Sequence, residues 1–363
     1  MASSGYTASM ADILGLGLSH FPGFYYLDAD MNRFLVDTLK SERVPAELKD
    51  PKSWPAPMQA EWGDDQGASF ARKHRAQFVD GVRKLRAALD DFRPDVVVIF
   101  GDDQYENFRE DLIAPFAVYI MPEFETTPFA SDLGREPRPN VWGEPTDKRF
   151  CYPGHPDAAR YLARQLLEQR FDMSYAYRLH HMHELGHAFR NTLIYFDYDR
   201  RGWSYPIVPF HVNAYGSSIV RNRGGLDHLL GPSVDSPDPP APSPARCFEL
   251  GQAVAQALKA SPWRAAVVGS SSWSHAFLTE KNHWIHPDVE ADRQRYRELK
   301  AADYTAWRDL SLAEVEDAGQ HEILNWLPLI GAMHELGQKP AVCEFLESYV
   351  MNSCKCIALF PPP

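Results

Sequence analysis

The chain has 363 residues, 44% of them hydrophobic, enough for a substantial core in one large or two ordinary domains. Its 49 acidic and 37 basic residues give a formal charge of -12, which works against a nucleic-acid phosphate backbone as partner. No apolar run reaches membrane-spanning length, no secretory leader is visible, and five scattered cysteines (Cys151, Cys247, Cys343, Cys354, Cys356) form neither a disulfide framework nor a zinc site, so a soluble cytoplasmic protein is expected.

Residues 1–10 read as a flexible start. Residues 13–20 follow as a buried parallel-type strand that closes on Ser19 and His20, with Gly15 and Gly17 open to close approach by another backbone or a ligand. Residues 21–66 are irregular and rich in proline and aromatics, and are expected to form a pocket-shaping insertion over one mouth of the sheet. From Phe70 to Phe92 apolar residues recur every three or four positions, one face of a helix that Pro94 ends. The β-branched run Asp95–Phe100 is the clearest buried strand, and it delivers Gly101-Asp102-Asp103-Gln104.

Six prolines mark residues 121–154 as a loop region. His155-Pro156-Asp157 opens a helix, with proline just inside its start, and 171–177 suggests a strand. Four histidines, His180, His181, His183 and His187, then fall within eight residues. Residues 205–213 read as a strand with edge-type prolines, and 231–246 as a disordered Pro/Ser loop. Leu250, Val254 and Leu258 make a helix face; Ala265–Gly269 is the next strand and delivers Ser270 through His275. The charged stretch 288–317 reads as surface helix with Tyr296, Tyr304 and Trp307 turned inward. Gly319–Glu322 begins a last helix in which Pro328 predicts a kink. Strands alternating with helices imply a single α/β domain over residues 11–363, with a central mixed sheet flanked by helices.

Three strands therefore end in groups capable of metal or proton chemistry: His20, the Asp102–Gln104 run, and Ser274-His275. Each alone is better explained by a satisfied histidine or a turn aspartate, whereas three together point to a site at the carboxyl edge of a sheet. No phosphate loop, nucleophile elbow, HExxH or CxxC is present, so nucleotide, serine-hydrolase and zinc-protease readings have no anchor.

The chain resembles the class III extradiol ring-cleavage dioxygenases, and among them the catalytic subunit of protocatechuate 4,5-dioxygenase. The resemblance rests on Ser19-His20-Phe-Pro-Gly, Pro94-Asp-Val-Val-Val-Ile followed by Asp103, Gly154-His-Pro-Asp157, Pro209-Phe-His-Val-Asn213, Arg246-Cys-Phe-Glu-Leu-Gly251, Gly269 with Ser274-His275, and Gly319–Glu322 before Trp326, in that order. It implies ferrous iron held by two histidines and one glutamate, with open positions for a catecholate or aminophenolate and for O2. His20 matches the first histidine, Glu322 the glutamate and His275 the catalytic acid/base. His187 lies beside a second pocket histidine and is carried as a catalytic, substrate-contacting candidate. Asp103, Tyr105 and Trp273 adjoin the site in sequence and are substrate-binding candidates. For His180, His181 and His183 a partly exposed polar turn is the better reading.

One position departs from the family. Where Asn-Asp-His is usual, this chain has Asp102-Asp103-Gln104, so Gln104 stands in for the second histidine ligand. A carboxamide oxygen is a neutral but weaker ligand for iron than imidazole. Three outcomes stand open: Gln104 ligates; Asp102, Asp103 or a histidine of 180–187 replaces it; or the iron site is lost. The last leaves a non-oxygenase superfamily member, a binding protein with a vestigial metal site or a metal-dependent hydrolase. The resemblance also implies a small aromatic substrate, a homo-oligomer, and room for a small partner subunit; charge and the lack of a long apolar run already argue against a nucleic-acid or membrane partner.

Overall fold

A computed structural model describes residues 12–130, 137, 139–225 and 238–362. Its elements run β1 (Ile13–Leu18), α1 (Arg33–Thr38), α2 (Ala56–Trp62), α3 (Ala68–Phe92), β2 (Val96–Gly101), β3 (Phe116–Tyr119), β4 (Glu123–Thr126), β5 (Phe150–Pro153), α4 (Pro156–Glu168) and β6 (Ser174–Ala176). They continue with α5 (His187–Phe196), β7 (Ile207–Val212), α6 (Pro244–Lys259), β8 (Ala265–Ser270), α7 (Val289–Ala301), α8 (Tyr304–Arg308), α9 (Leu312–Asp317), α10 (Ile323–Glu335), β9 (Val342–Leu346) and β10 (Lys355–Phe360).

Eight strands form one mixed sheet in the order β6-β3-β7-β2-β8-β1-β10-β9. The centre is parallel: β8 lies between β1 and β2, with Leu18 opposite Ser270 and Phe100 opposite Gly269, so three carboxyl ends reach one edge. Period-two alternation splits the core between the faces. Val96, Val98 and Phe100 point to the helices α4, α6 and α10, while Val97, Ile99, Leu14, Leu16 and Leu18 point to α3, α5 and the 21–66 segment. The expected mixed sheet flanked by helices is what forms.

Several local expectations need correction. Residues 121–154 are not all loop, because β4 and β5 pair antiparallel as a separate two-stranded ladder. The prolines of 205–213 do not mark an edge: β7 lies inside the sheet, with Pro209 opposite Ile99 of β2. Its missing N–H is tolerated where the ladder to β3 has already ended at Val118 opposite Phe210. Gly17 admits neither backbone nor ligand; the Trp326 indole of α10 fills the space that a side chain would need. Residues 1–10 and 231–237 lie outside the described residues; from Pro244 onward the 231–246 segment is helix α6.

Residues 21–66 hold α1, α2 and short 3-10 turns rather than irregular chain. They pack onto α3 through Phe24, whose ring stacks on Phe78 at 3.9 Å. Helix α10 is buried from Ile323 to Met333 and runs through Pro328 without ending. It lies against α6 so closely that the Pro328 carbonyl occupies the position of a side chain at Gly251. Because that obstacle is backbone, no rotamer change can relieve it. Gly251→Val should destabilise the protein by about 2–4 kcal/mol, read as a lowered denaturation midpoint in urea.

Candidate functional site

Two residues after β1, the buried His20 ring sets its Nδ1 3.0 Å from the Ser270 carbonyl oxygen. A carbonyl only accepts, so Nδ1 carries the proton and Nε2 of the neutral ring offers a lone pair. That Nε2 lies 3.2 Å from Glu322 Oε2 and 3.8 Å from Asp102 Oδ1. His275 repeats the arrangement: Nδ1 donates to the Trp273 carbonyl at 3.0 Å, and Nε2 stands 3.5 Å from Glu322 Oε2. His187, first residue of α5, has Nδ1 3.1 Å from Glu106 Oε2, and its backbone N–H donates to Glu106 Oε1 at 2.9 Å. Its ring meets that of His20 edge-on at 4.8 Å.

The carboxylates are anchored in the same one-sided way. Glu322 Oε1 accepts from the Tyr215 hydroxyl at 2.6 Å, while Oε2 is buried with no hydrogen bond. Asp102 Oδ1 accepts from Asn325 Nδ2 at 2.6 Å, and its buried Oδ2 has no partner. Ligand atoms of His20, Asp102 and His187 lie within 4.8 Å of one another.

The charges fit this geometry. Burial, then the neighbouring Glu322, pushes Asp102 up to about 6. Burial also opposes the Glu322 anion, but His275, His20 and Tyr215 outweigh it and hold that carboxyl well below its ordinary range. Burial opposes the His187 cation too, yet Glu106 lifts His187 to about 9. For His275, burial prevails over Glu322 and lowers its pKa.

His20, Gln104, His187, His275 and Glu322 all line one small inner cavity of about 20 Å³, closed by Phe21, Pro22, Phe34, Phe277 and Asn352. That volume suffices for about one water. Gln104 is engaged otherwise than as a lone ligand: its amide nitrogen donates to the Tyr215 hydroxyl, which in turn donates to Glu322. The other three candidates do not reach the cavity. Asp103 spends its carboxylate on the backbone N–H groups of Glu106, Asn107 and Phe108, a turn. Tyr105 turns outward, its hydroxyl on Glu110. Trp273 is core, packed edge-on against Trp307 and Trp326. His181 is exposed and pairs with Asp111 at 2.8 Å, as a polar turn requires.

Sequence reasoning missed Tyr215, Asn325 and Glu106 as supporting groups. Tyr215 alone had a signal, standing three residues past the β7 carboxyl end.

Residues 234–354 match the family described as the catalytic LigB subunit of aromatic ring-opening dioxygenase, a stretch that carries His275 and Glu322. A 2,3-dihydroxyphenylpropionate/2,3-dihydroxicinnamic acid 1,2-dioxygenase of Comamonas testosteroni is 25% identical over 66% of this chain and 60% of its own length. The protein of the same name from Paraburkholderia xenovorans is 26% identical over 73% of this chain and 72% of its own. A gallate dioxygenase of Pseudomonas putida is 25% identical over 50% and 46%. An uncharacterized Escherichia coli K12 protein of solved structure is 16% identical, covering 78% of this chain and 91% of its own at a TM-score of 0.44. The resemblance drawn from the sequence to the class III extradiol dioxygenases is thus borne out.

If the tethered histidines and half-free carboxylates hold a divalent ion, their outer partners set its affinity. Glu106→Gln should weaken Fe(II) binding about 10–100-fold in anaerobic chelator competition. Asp102→Ala should cost more affinity than Gln104→Ala, and the reverse order would return Gln104 to the ligand set.

Proposed function

We propose that this protein is a non-haem Fe(II)-dependent extradiol dioxygenase that opens the ring of a catechol or aminophenol-like aromatic with O2. The observation that carries the reading is Glu322 Oε2, buried without a hydrogen bond 3.2 and 3.5 Å from the Nε2 atoms of His20 and His275, both tethered through Nδ1, together with the likewise unpartnered Oδ2 of the neighbouring Asp102. Such oxygens are costly to bury in a purely structural site and fit a hard or borderline divalent cation. The family match and the names of the relatives support ring cleavage as the reaction class.

His20 and Glu322 would hold the iron, with Asp102 or His187 completing the set. Bound there, ferrous iron supplies the adjacent coordination positions at which substrate oxygens and dioxygen meet. The chain's own groups do the rest. His275, proton-free at Nε2 and fixed through Nδ1, can take the proton of a substrate hydroxyl and later return it. Phe21, Phe34 and Phe277 keep bulk water from the reacting atoms. Tyr215 holds one oxygen of Glu322 so that only the other is presented inward.

A non-oxygenase reading is favoured by one observation, the engagement of Gln104 with Tyr215 where the family has a histidine. Anaerobic purification followed by metal analysis and oxygen uptake against a panel of catechols and aminophenols separates the two. Bound iron with substrate-dependent uptake is expected; no iron and no uptake across the panel would sink the dioxygenase.

The His275 pKa supplies a second check. It is lowered from 6.5, so the ring stays a base below that pH and the acid limb of kcat/KM should lie below pH 6.5. His275→Gln should remove the limb and cost about 10²–10⁴-fold in rate.

A further inference from the structure

The inner cavity, at about 20 Å³, cannot hold an aromatic ring, so a substrate must arrive through what adjoins it. A polar cleft of about 770 Å³ opens directly outside, and Phe277 belongs to the walls of both. Helix α1 is shared in the same manner: Phe34 faces the inner cavity, and Asp37 and Thr38, one turn on, face the cleft. The two phenyl rings form the partition, Phe34 and Phe277 lying nearly parallel with centroids 6.2 Å apart. On its inner side Phe277 meets the His275 ring edge-on at 5.4 Å. Displacing this partition joins the cleft to the proton-handling histidine.

The cleft is far larger than a single diol ring requires and falls in the range that takes a drug-sized ligand. Its far wall presents Trp284, half-buried, with the Arg43 guanidinium stacked 4.2 Å from its centre. Trp284 and the preceding His283 both have left-handed backbone, φ 60° and 51°, and for a bulky residue like Trp284 this is a true outlier. The turn holds the indole toward the cleft at the expense of favourable backbone geometry, an arrangement that concentrates at ligand clamps. The same cleft is lined by hydroxyls and an amide, Thr38, Ser41 and Asn222, and by charged side chains such as Asp37 and Lys281, with Val44 and Leu278 among its few aliphatic groups. The cleft thus offers a flat aromatic surface at Trp284 within walls that are mostly polar.

We infer that the outer cleft binds the distal half of a two-ring substrate: a catechol whose diol ring passes Phe277 and whose second ring, carrying carbonyl or hydroxyl groups, lies at Trp284. The inference rests on the dioxygenase reading for the diol end, and it adds the substrate class. Arg43 already covers one side of the indole, so the second ring meets Trp284 on its open face or edge and hydrogen-bonds to the rim.

The test is anaerobic calorimetry on the protein as purified, titrated with 3,4-dihydroxybenzophenone and separately with catechol, so that no turnover occurs. The two-ring diol should bind about tenfold more tightly than catechol, the magnitude of one good aromatic contact. That ratio should collapse toward one in Trp284→Ala, and also in Ala313→Trp, which fills the cleft from an exposed position on α9 and places no load on the core. Equal affinity for the two diols in the native protein, or a preference that survives both substitutions, would overturn the inference. Oxygen-uptake assays on the same compounds keep the two readings apart. A Trp284-dependent preference without uptake defeats the dioxygenase reading alone, and uptake without a two-ring preference defeats the cleft alone.

Discussion

The site depends on where α10 begins. Asn325 reaches back from its first turn and donates to Asp102 Oδ1 at 2.6 Å and to the Ser270 carbonyl at 3.2 Å, tying the helix to the ends of β2 and β8 at once. Ser271 donates its hydroxyl to the Glu322 carbonyl at 2.7 Å, and the Trp326 indole donates to the Ser271 carbonyl at 3.0 Å. Each bond contributes about 1 kcal/mol net, but leaving any of these buried groups unpaired would cost about 1–3 kcal/mol. Glu322 is therefore held by the sheet and not by a flexible loop. The parallel register of β1, β8 and β2 then brings His20 and Asp102 to the same point.

That junction places two carboxylates side by side in a dry interior, which the fold would be expected to avoid. The repulsion is visible in Asp102, which burial and Glu322 lift to about 6. A structural pair would be neutralised by a lysine or arginine close by; here the neighbours are imidazoles, and the one lifted to about 9, His187, has its charge balanced by its own partner Glu106. Stability is given up at this point in return for an electron-rich cluster, the signature of a functional centre and not of a core. Elsewhere the same sheet buries an amine with its hydrogen bonds satisfied, and burial lowers its pKa to about 7. Lys355, at the start of β10, donates to the carbonyls of Met351 and Ser353 at 2.7 and 2.6 Å and lies over the Phe21 ring.

The central strands and α3 could be read from the sequence because uninterrupted β-branched runs and a regular three-four spacing allow little else. The outer strands could not. β3 has four residues and β9 alternates only weakly between half-buried positions. β10 opens on a lysine, which argues against a buried strand until the carbonyls around it are known. The site divides along the same line. His20, His275 and Glu322 follow from strand ends and a family pattern, whereas Glu106, Tyr215 and Asn325 act on residues 81, 107 and 223 positions away, which no local period encodes. Asp103, Tyr105 and Trp273 show the converse failure, because adjacency in sequence does not fix direction once the chain turns at the end of a strand.

Gln104 is where these constraints meet. Imidazole and carboxamide are both neutral, so the exchange leaves the formal charge alone, but only a carboxamide brings an NH2 group that can reach the Tyr215 hydroxyl. With its oxygen occupied as an acceptor, that hydroxyl turns its own proton to Glu322 Oε1 and leaves Oε2 alone to face inward. Asn325 does the same to Asp102, taking Oδ1 and leaving Oδ2. Ser270, Trp273 and Glu106 do it to the three histidines, each taking Nδ1. Every candidate ligand thus has one atom tied to the scaffold and one left over, and Gln104 belongs with the tying groups. On the proposed reading a second carboxylate then takes the place of the missing imidazole, and two carboxylates balance a divalent ion where one would leave it a positive charge. A neutral centre draws less on the substrate's hydroxyl protons, so more of their removal falls to the base already in place, His275.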